Sequence, residues 1–136
     1  RAKGLEDNLE LTGYVSHADA VGMMKSSDLL LFVVPQSRNN RLIITGKLFE
    51  YLASATPILS VGPADGDAAA ILAASGRDRM MDYAAGDMFM QKLSDYYAQW
   101  KSGGQRLVKL DTGMLEKYSR RASALKMTEI MEETVK

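Results

Sequence analysis

Thr45, Gly46 and Lys47 stand together where an apolar helical pattern begins, and Glu50 follows one turn later in LFEYLA. The start of a helix leaves backbone N–H groups without intrahelical partners. It also carries the positive end of the macrodipole, so a lysine beside it favours a bound anion. Gly46 lets such a ligand approach the backbone closely. TGK is not a Walker loop, because it lacks the upstream glycine spacing and a following Ser or Thr. Glu50 is the lone charge amid Leu48, Phe49, Tyr51, Leu52 and Ala53. An ionised carboxylate only accepts hydrogen bonds, which suits a pair of sugar hydroxyls. Plainer roles stay open for all four residues. Thr45 can be a helix cap, Gly46 a turn, Lys47 a solvated stem, and Glu50 a wet-side residue paired with Lys47.

The loop before this helix, VPQSRNNRLIITGK, is the longest in the chain and adds Arg38 and Arg41. His17 follows GYVS and is read as part of the first turn of the next helix, with approach to a ligand as the alternative. Asp65 and Asp67 form no recognisable metal cage, and Asp67 is read as a helix cap. Phe89, Tyr96, Tyr97 and Trp100 read as core packing. Arg120 and Arg121 open a final helix, where their charge opposes the dipole.

Composition narrows the chemistry. The chain has 136 residues, 46% apolar and 25% charged, the mixture of one soluble globular domain spanning 1–136. Seventeen basic and seventeen acidic residues cancel, which weakens a nucleic-acid reading. Without cysteine there is no disulfide, thiolate nucleophile or Cys-based zinc site, and one histidine excludes a multi-histidine metal site. No apolar stretch approaches the roughly 20 residues of a membrane span. The start at Arg1, together with the length, suggests a fragment of a larger protein.

Apolar runs at residues 9–14 (LELTGY), 29–34 (LLLFVV), 57–61 (PILSV) and, more weakly, 79–83 (RMMDY) predict buried strands. Helical patterns lie between them. Ser16 and Asp19 have capping-box spacing ahead of Val21 and Met24. KLFEYLAS at 47–54 is stopped by TP, and DAAAILAAS ends at Gly76. Further helices carry Phe89, Leu93, Tyr96, Tyr97 and Trp100, and then Ala124, Met127, Ile130, Met131 and Val135. This alternation predicts an α/β fold, a doubly wound, Rossmann-like parallel sheet covered on both faces, with ligands beyond the carboxyl ends of its strands.

GYVSH, SSDLLLFVVP, TGKLFEYLASATPILSVGPADGDAAAIL and YSRRA resemble the C-terminal, donor-binding domain of retaining GT-B glycosyltransferases of the large family 4 type. Bacterial enzymes of polysaccharide assembly are the nearest in kind. The most specific stretch is K-x-x-E-Y-L-A-x-x-x-P-I-L, Lys47 to Leu59. The resemblance implies a nucleoside-diphosphate sugar held between two lobes, with no metal or other cofactor in this one. Glu50 matches the second acid of the family's E-x7-E signature and would hold the ribose. Thr45, Gly46 and Lys47 would contact the diphosphate, and Gly13 and Val15 would lie near the base. The first acid of the signature is replaced by Leu42, and Arg41 beside it would help hold the pyrophosphate.

On this resemblance Lys47 and Glu50 are the catalytic candidates. The acceptor, a glycan or lipid-linked glycan, belongs to an N-terminal lobe, so this chain alone is expected to be inactive. The expected location is cytoplasmic, with peripheral association at the inner face of a membrane. A nucleotide-sugar epimerase of similar shape would need more carboxylates around the sugar. A response-regulator-like or other protein-binding α/β module would need an acidic pocket near the first strand.

Overall fold

The computed structural model describes residues 4–104, 107–109 and 111–134. Its helices are α1 (His17–Ser26), α2 (Gly46–Ala53), α3 (Asp67–Ala74), α4 (Gly86–Lys101), α5 (Thr112–Lys117) and α6 (Arg120–Thr134). Its strands are β1 (Leu30–Val33) and β2 (Ile58–Val61), and short 3-10 turns lie at Glu6–Asn8 and Asn40–Leu42. The two strands pair in parallel, Leu30 opposite Ile58 and Phe32 opposite Ser60. A parallel crossover with an intervening helix makes this an α/β arrangement.

The doubly wound sheet is not formed among the described residues. The expected strand at 79–83 shrinks to one parallel bridge, in which Met81 N donates to Ser60 O and Met81 O accepts from Gly62 N. Residues 9–14 form no strand, and Leu11 is 91% exposed. Their alternating apolar pattern is matched by no neighbouring ladder, and a strand without a paired edge has nowhere to place its backbone hydrogen bonds.

The expectation of two covered faces also needs correction. Leu30 and Phe32 are buried, whereas Leu31 and Val33, on the opposite face of the same strand, are 54% and 53% exposed. A continuous aliphatic run permits burial on both sides but does not supply the second layer.

On the covered face, Leu30, Phe32 and Ile58 join Leu48 and Leu52 of α2 and Ala68, Ile71 and Leu72 of α3 in one hydrophobic cluster. Burying a leucine side chain contributes about 1.5–3 kcal/mol, so Leu48, Leu52 and Leu72, all essentially inaccessible, anchor these helices. Phe49 packs on Tyr118, with ring centroids 5.2 Å apart, and ties α2 to the C-terminal helices.

Capping is as the spacing predicts for α1, where Ser16 Oγ accepts from Asp19 N at 3.2 Å. In α3 the cap is Gly66, and Asp67 is the first helical residue. The preceding turn, closed by Gly66 N donating to Pro63 O, brings the helix in one residue early. Asp67 still faces the positive end of the dipole.

The aromatic stripe of α4, expected as core packing, does not join the core cluster, and α4 has no fully buried residue. Phe89, Leu93 and Tyr96 are half-buried, while Tyr97 and Trp100 are exposed and stack on each other. α6 begins at Arg120 as expected but buries no residue, and Val135 lies outside the described residues. Among the described residues no helix is long and apolar enough to cross a membrane.

Candidate functional site

Parallel pairing sends the carboxyl ends of β1, β2 and the Met81 bridge to the same side. Three connections leave from there: residues 34–45 to α2, 62–66 to α3 and 82–85 to α4. Arg41, Thr45, Gly46, Lys47 and Glu50 all belong to the first connection and the helix that follows it.

Two sets of contacts hold that first connection. Tyr83 Oη donates to Val34 O at 2.7 Å and accepts from Asn40 Nδ2 at 3.0 Å, so one hydroxyl closes the loop between its start and its 3-10 turn. On the other side, Arg41 Nη2 lies 3.0 Å from Asp65 Oδ2. Both of those side chains are mostly exposed, and such pairs contribute about 0–1 kcal/mol. The backbones meet more tightly than the charges do. A Cβ at Gly66 would sit 2.9 Å from Arg41 O, so this position admits only glycine without displacement.

Beyond the turn the chain becomes helical at Gly46 with Thr45 as cap, and the Thr45 side chain makes no capping hydrogen bond. Thr45, Gly46 and Lys47 are all exposed. A Cβ at Gly46 would meet nothing within 4 Å, so the space over the first turn of α2 is open. Lys47 and Glu50 form no ion pair with each other, and both are exposed, one turn apart. Burial first, and then the Glu50 charge, raises the phenol of neighbouring Tyr51. A helix start without a side-chain cap, flanked by one lysine and one arginine, can hold a diphosphate through amides and cations together. The carboxylate behind it can accept from vicinal hydroxyls.

Leu42, at the position of the absent acid, is 72% exposed. Gly13 has a φ of 66° and is exposed, Val15 is half-buried, and no hydrogen bond links either to the stretch from Arg41 to Glu50. Arg41, Thr45, Gly46, Lys47 and Glu50 thus share one continuous stretch of loop and helix, whereas Gly13 and Val15 lie outside it. His17 is the first residue of α1 and exposed, consistent with its plain reading.

Sequence reasoning missed Tyr83, Asn40 and the pairing of Asp65 with Arg41. A tyrosine ending an otherwise apolar run and an asparagine in the longest loop were the available signals. A hollow of about 250 Å³, lined by Val61, Tyr83, Phe89 and Met90 among others, adjoins the Tyr83 ring. Among the described residues no group of three or more His, Cys, Asp or Glu is arranged to hold a metal ion. Comparison with protein-family models, curated proteins and solved structures yields no match to this chain.

Proposed function

We propose that this chain is the donor-binding part of a retaining glycosyltransferase that takes a sugar from a nucleoside-diphosphate sugar. The observation that carries the reading is the exposed start of α2 without a side-chain cap, with Lys47 in its first turn, Arg41 on the loop before it and Glu50 one turn behind. The diphosphate would lie on the Gly46 and Lys47 amides and the Lys47 ammonium, and Glu50 would accept from the ribose hydroxyls. Arg41 would exchange Asp65 for a phosphate oxygen, a low-cost swap because the present pair is solvent-exposed.

When the bond between the anomeric carbon and the phosphate oxygen breaks, its electron pair stays with the departing nucleoside diphosphate. Fixed cations and amides stabilise that added charge more than they stabilise the bound donor, which lowers the barrier. In this reading the acceptor, a glycan or lipid-linked glycan, is held by a second lobe, so the 136 residues alone bind donor and transfer nothing. Assembly of such glycans would place the protein at the cytoplasmic face of a membrane.

The test is titration of the chain with UDP, GDP, ADP and their nucleosides, following the amide signals of Gly46 and Glu50 by NMR. Saturable shifts with at least one diphosphate are expected, weakened in Glu50→Ala for nucleoside and diphosphate alike. If none of the six produces a saturable change at millimolar concentration, the donor-site reading falls.

A further inference from the structure

The loop that carries Arg41 and feeds α2 is long and mostly exposed; its 3-10 turn lies against the Gly66 turn before α3, and Ile43 packs on the core, but few long-range polar contacts fix it. The Arg41–Asp65 pair is solvated. The hydrogen bonds of the 3-10 turn are local, Leu42 N to Asn39 O and Ile43 N to Asn40 O, both 3.2 Å. Local bonds shape the turn without saying where it sits. The long-range polar anchor is the Tyr83 hydroxyl, 49 positions from Val34 and 43 from Asn40.

That hydroxyl uses its donor on the carbonyl where the loop leaves β1 and an acceptor site on the residue that opens the Arg41 turn. Tyr83 is itself held, because Met81, two residues earlier, is bridged to β2. Val34 brings its carbonyl to the tyrosine from a buried position. Its side chain is 1% exposed, and its N–H already donates to Val61 O at 2.9 Å. The phenolic oxygen therefore satisfies a buried carbonyl where the loop begins and reaches on to the 3-10 turn that carries Arg41.

We infer that Tyr83 is a positioning residue: through Val34 and Asn40 it sets where Arg41 and the start of α2 present themselves to a diphosphate. The inference rests on the donor-site reading for the identity of the ligand, but its geometric half does not. A free loop would have to be ordered each time an anion bound, and the pinned loop has met that entropic cost in advance.

The experiment compares wild type, Tyr83→Phe, Asn40→Ala and the double variant in the full chain. Amide order parameters for residues 36–43 are the ligand-free readout. In Tyr83→Phe they should drop from the rigid range near 0.85 towards about 0.6, while those of α3 stay unchanged. Affinity for UDP, GDP and ADP should fall about fivefold to tenfold, as expected for one or two neutral hydrogen bonds. Affinity for the parent nucleosides should stay within about twofold, because only the diphosphate end loses its preset partners. The double variant should bind no worse than Tyr83→Phe, which already breaks both bonds of the tether, while Asn40→Ala, which leaves the bond to Val34, should lose less.

Unchanged loop order in Tyr83→Phe overturns the inference. So does a loosened loop with undiminished diphosphate affinity, or a uniform loss of order throughout the chain. If wild type binds none of the diphosphates, the donor-site reading fails and the ligand half of this inference with it. The order parameters then still decide whether Tyr83 positions the loop.

Discussion

At the C-terminal end of α2 the Leu52 carbonyl is closed by a side chain from a distant part of the chain, whereas at its N-terminal end no side chain caps the first amides. Arg77, 8% exposed, donates through Nη2 to Leu52 O at 2.8 Å and through Nη1 to Thr56 O at 3.3 Å. Thr56 Oγ1 donates in turn to Met24 O, joining the end of α1 to the start of β2. The guanidinium has the sign that offsets the negative end of the helix dipole, while Lys47 has the sign that adds to the positive end. One end spends its polar groups on the fold. The other leaves them exposed without a side-chain cap, at a small cost to helix stability. Under the proposed donor-site reading, stability and binding would be separated along eight residues.

The sharpest test of that separation uses neighbours. Leu48, fully buried beside Lys47, should cost about 3 kcal/mol when replaced by alanine, read as a fall in the urea midpoint. Arg77→Ala should cost about 2 kcal/mol by leaving the Leu52 and Thr56 carbonyls without their donor. Arg77→Met, which keeps the packing of the stem, should recover only a minor part of that loss.

At the open end, Lys47→Ala should change unfolding free energy by less than about 0.5 kcal/mol. Binding of UDP, GDP or ADP should weaken about tenfold, with nucleosides little affected, as isothermal titration would show. A destabilisation from Lys47→Ala as large as that from Arg77→Ala would break the contrast between the ends.

Smaller effects refine it. Ala55, just past the closed end, has a φ of 62°, in the left-handed region that disfavours residues with a Cβ. Ala55→Gly should relieve about 1–2 kcal/mol of that strain against about 0.4–1 kcal/mol of added unfolded-state entropy, a small net gain visible as a raised thermal midpoint.

The last effect belongs to Tyr96, whose hydroxyl donates to Asp78 and whose pH dependence appears only in the alkaline range. Burial first, then the hydrogen bond and charge of Asp78, raise its phenol above the ordinary 10.0, with Arg77 pulling the other way. An acid raised in the folded state contributes fully below its unfolded pKa, and that contribution is lost as pH climbs from 10.0 towards the folded value. Urea midpoints at about pH 8 and about pH 11 should show this alkaline loss, reduced in Tyr96→Phe. Tyr51, raised in the same direction, keeps the slope from vanishing.

Much of the framework was legible from local pattern. LLLFVV and PILSV became β1 and β2 to within one residue at either end, Ser16 caps α1, and KLFEYLAS became α2. These outcomes depend on interactions within a few positions, which residue type reports directly. LELTGY shows the limit of that reasoning: its alternating apolar residues favour a strand, yet pairing depends on an edge that residue type alone does not supply. Tyr97 and Trp100 obey helical spacing but have no layer to cover them. In the candidate site, Lys47 and Glu50 stood out as charges around an apolar helix. The tether through Tyr83 did not, because hydrogen bonds across 43 and 49 positions leave no mark in any local window.

By itself, then, the sequence determined the two paired strands, the helix at α2 and the residues that make its start cationic, because capping, dipole and hydrophobic period act over one or two turns. The tertiary structure decided which carbonyls Arg77 closes, where the Arg41 loop is pinned and which face of β1 is covered. Those outcomes arise where segments far apart in the chain meet, and burial and hydrogen-bond satisfaction are settled by what each group meets there.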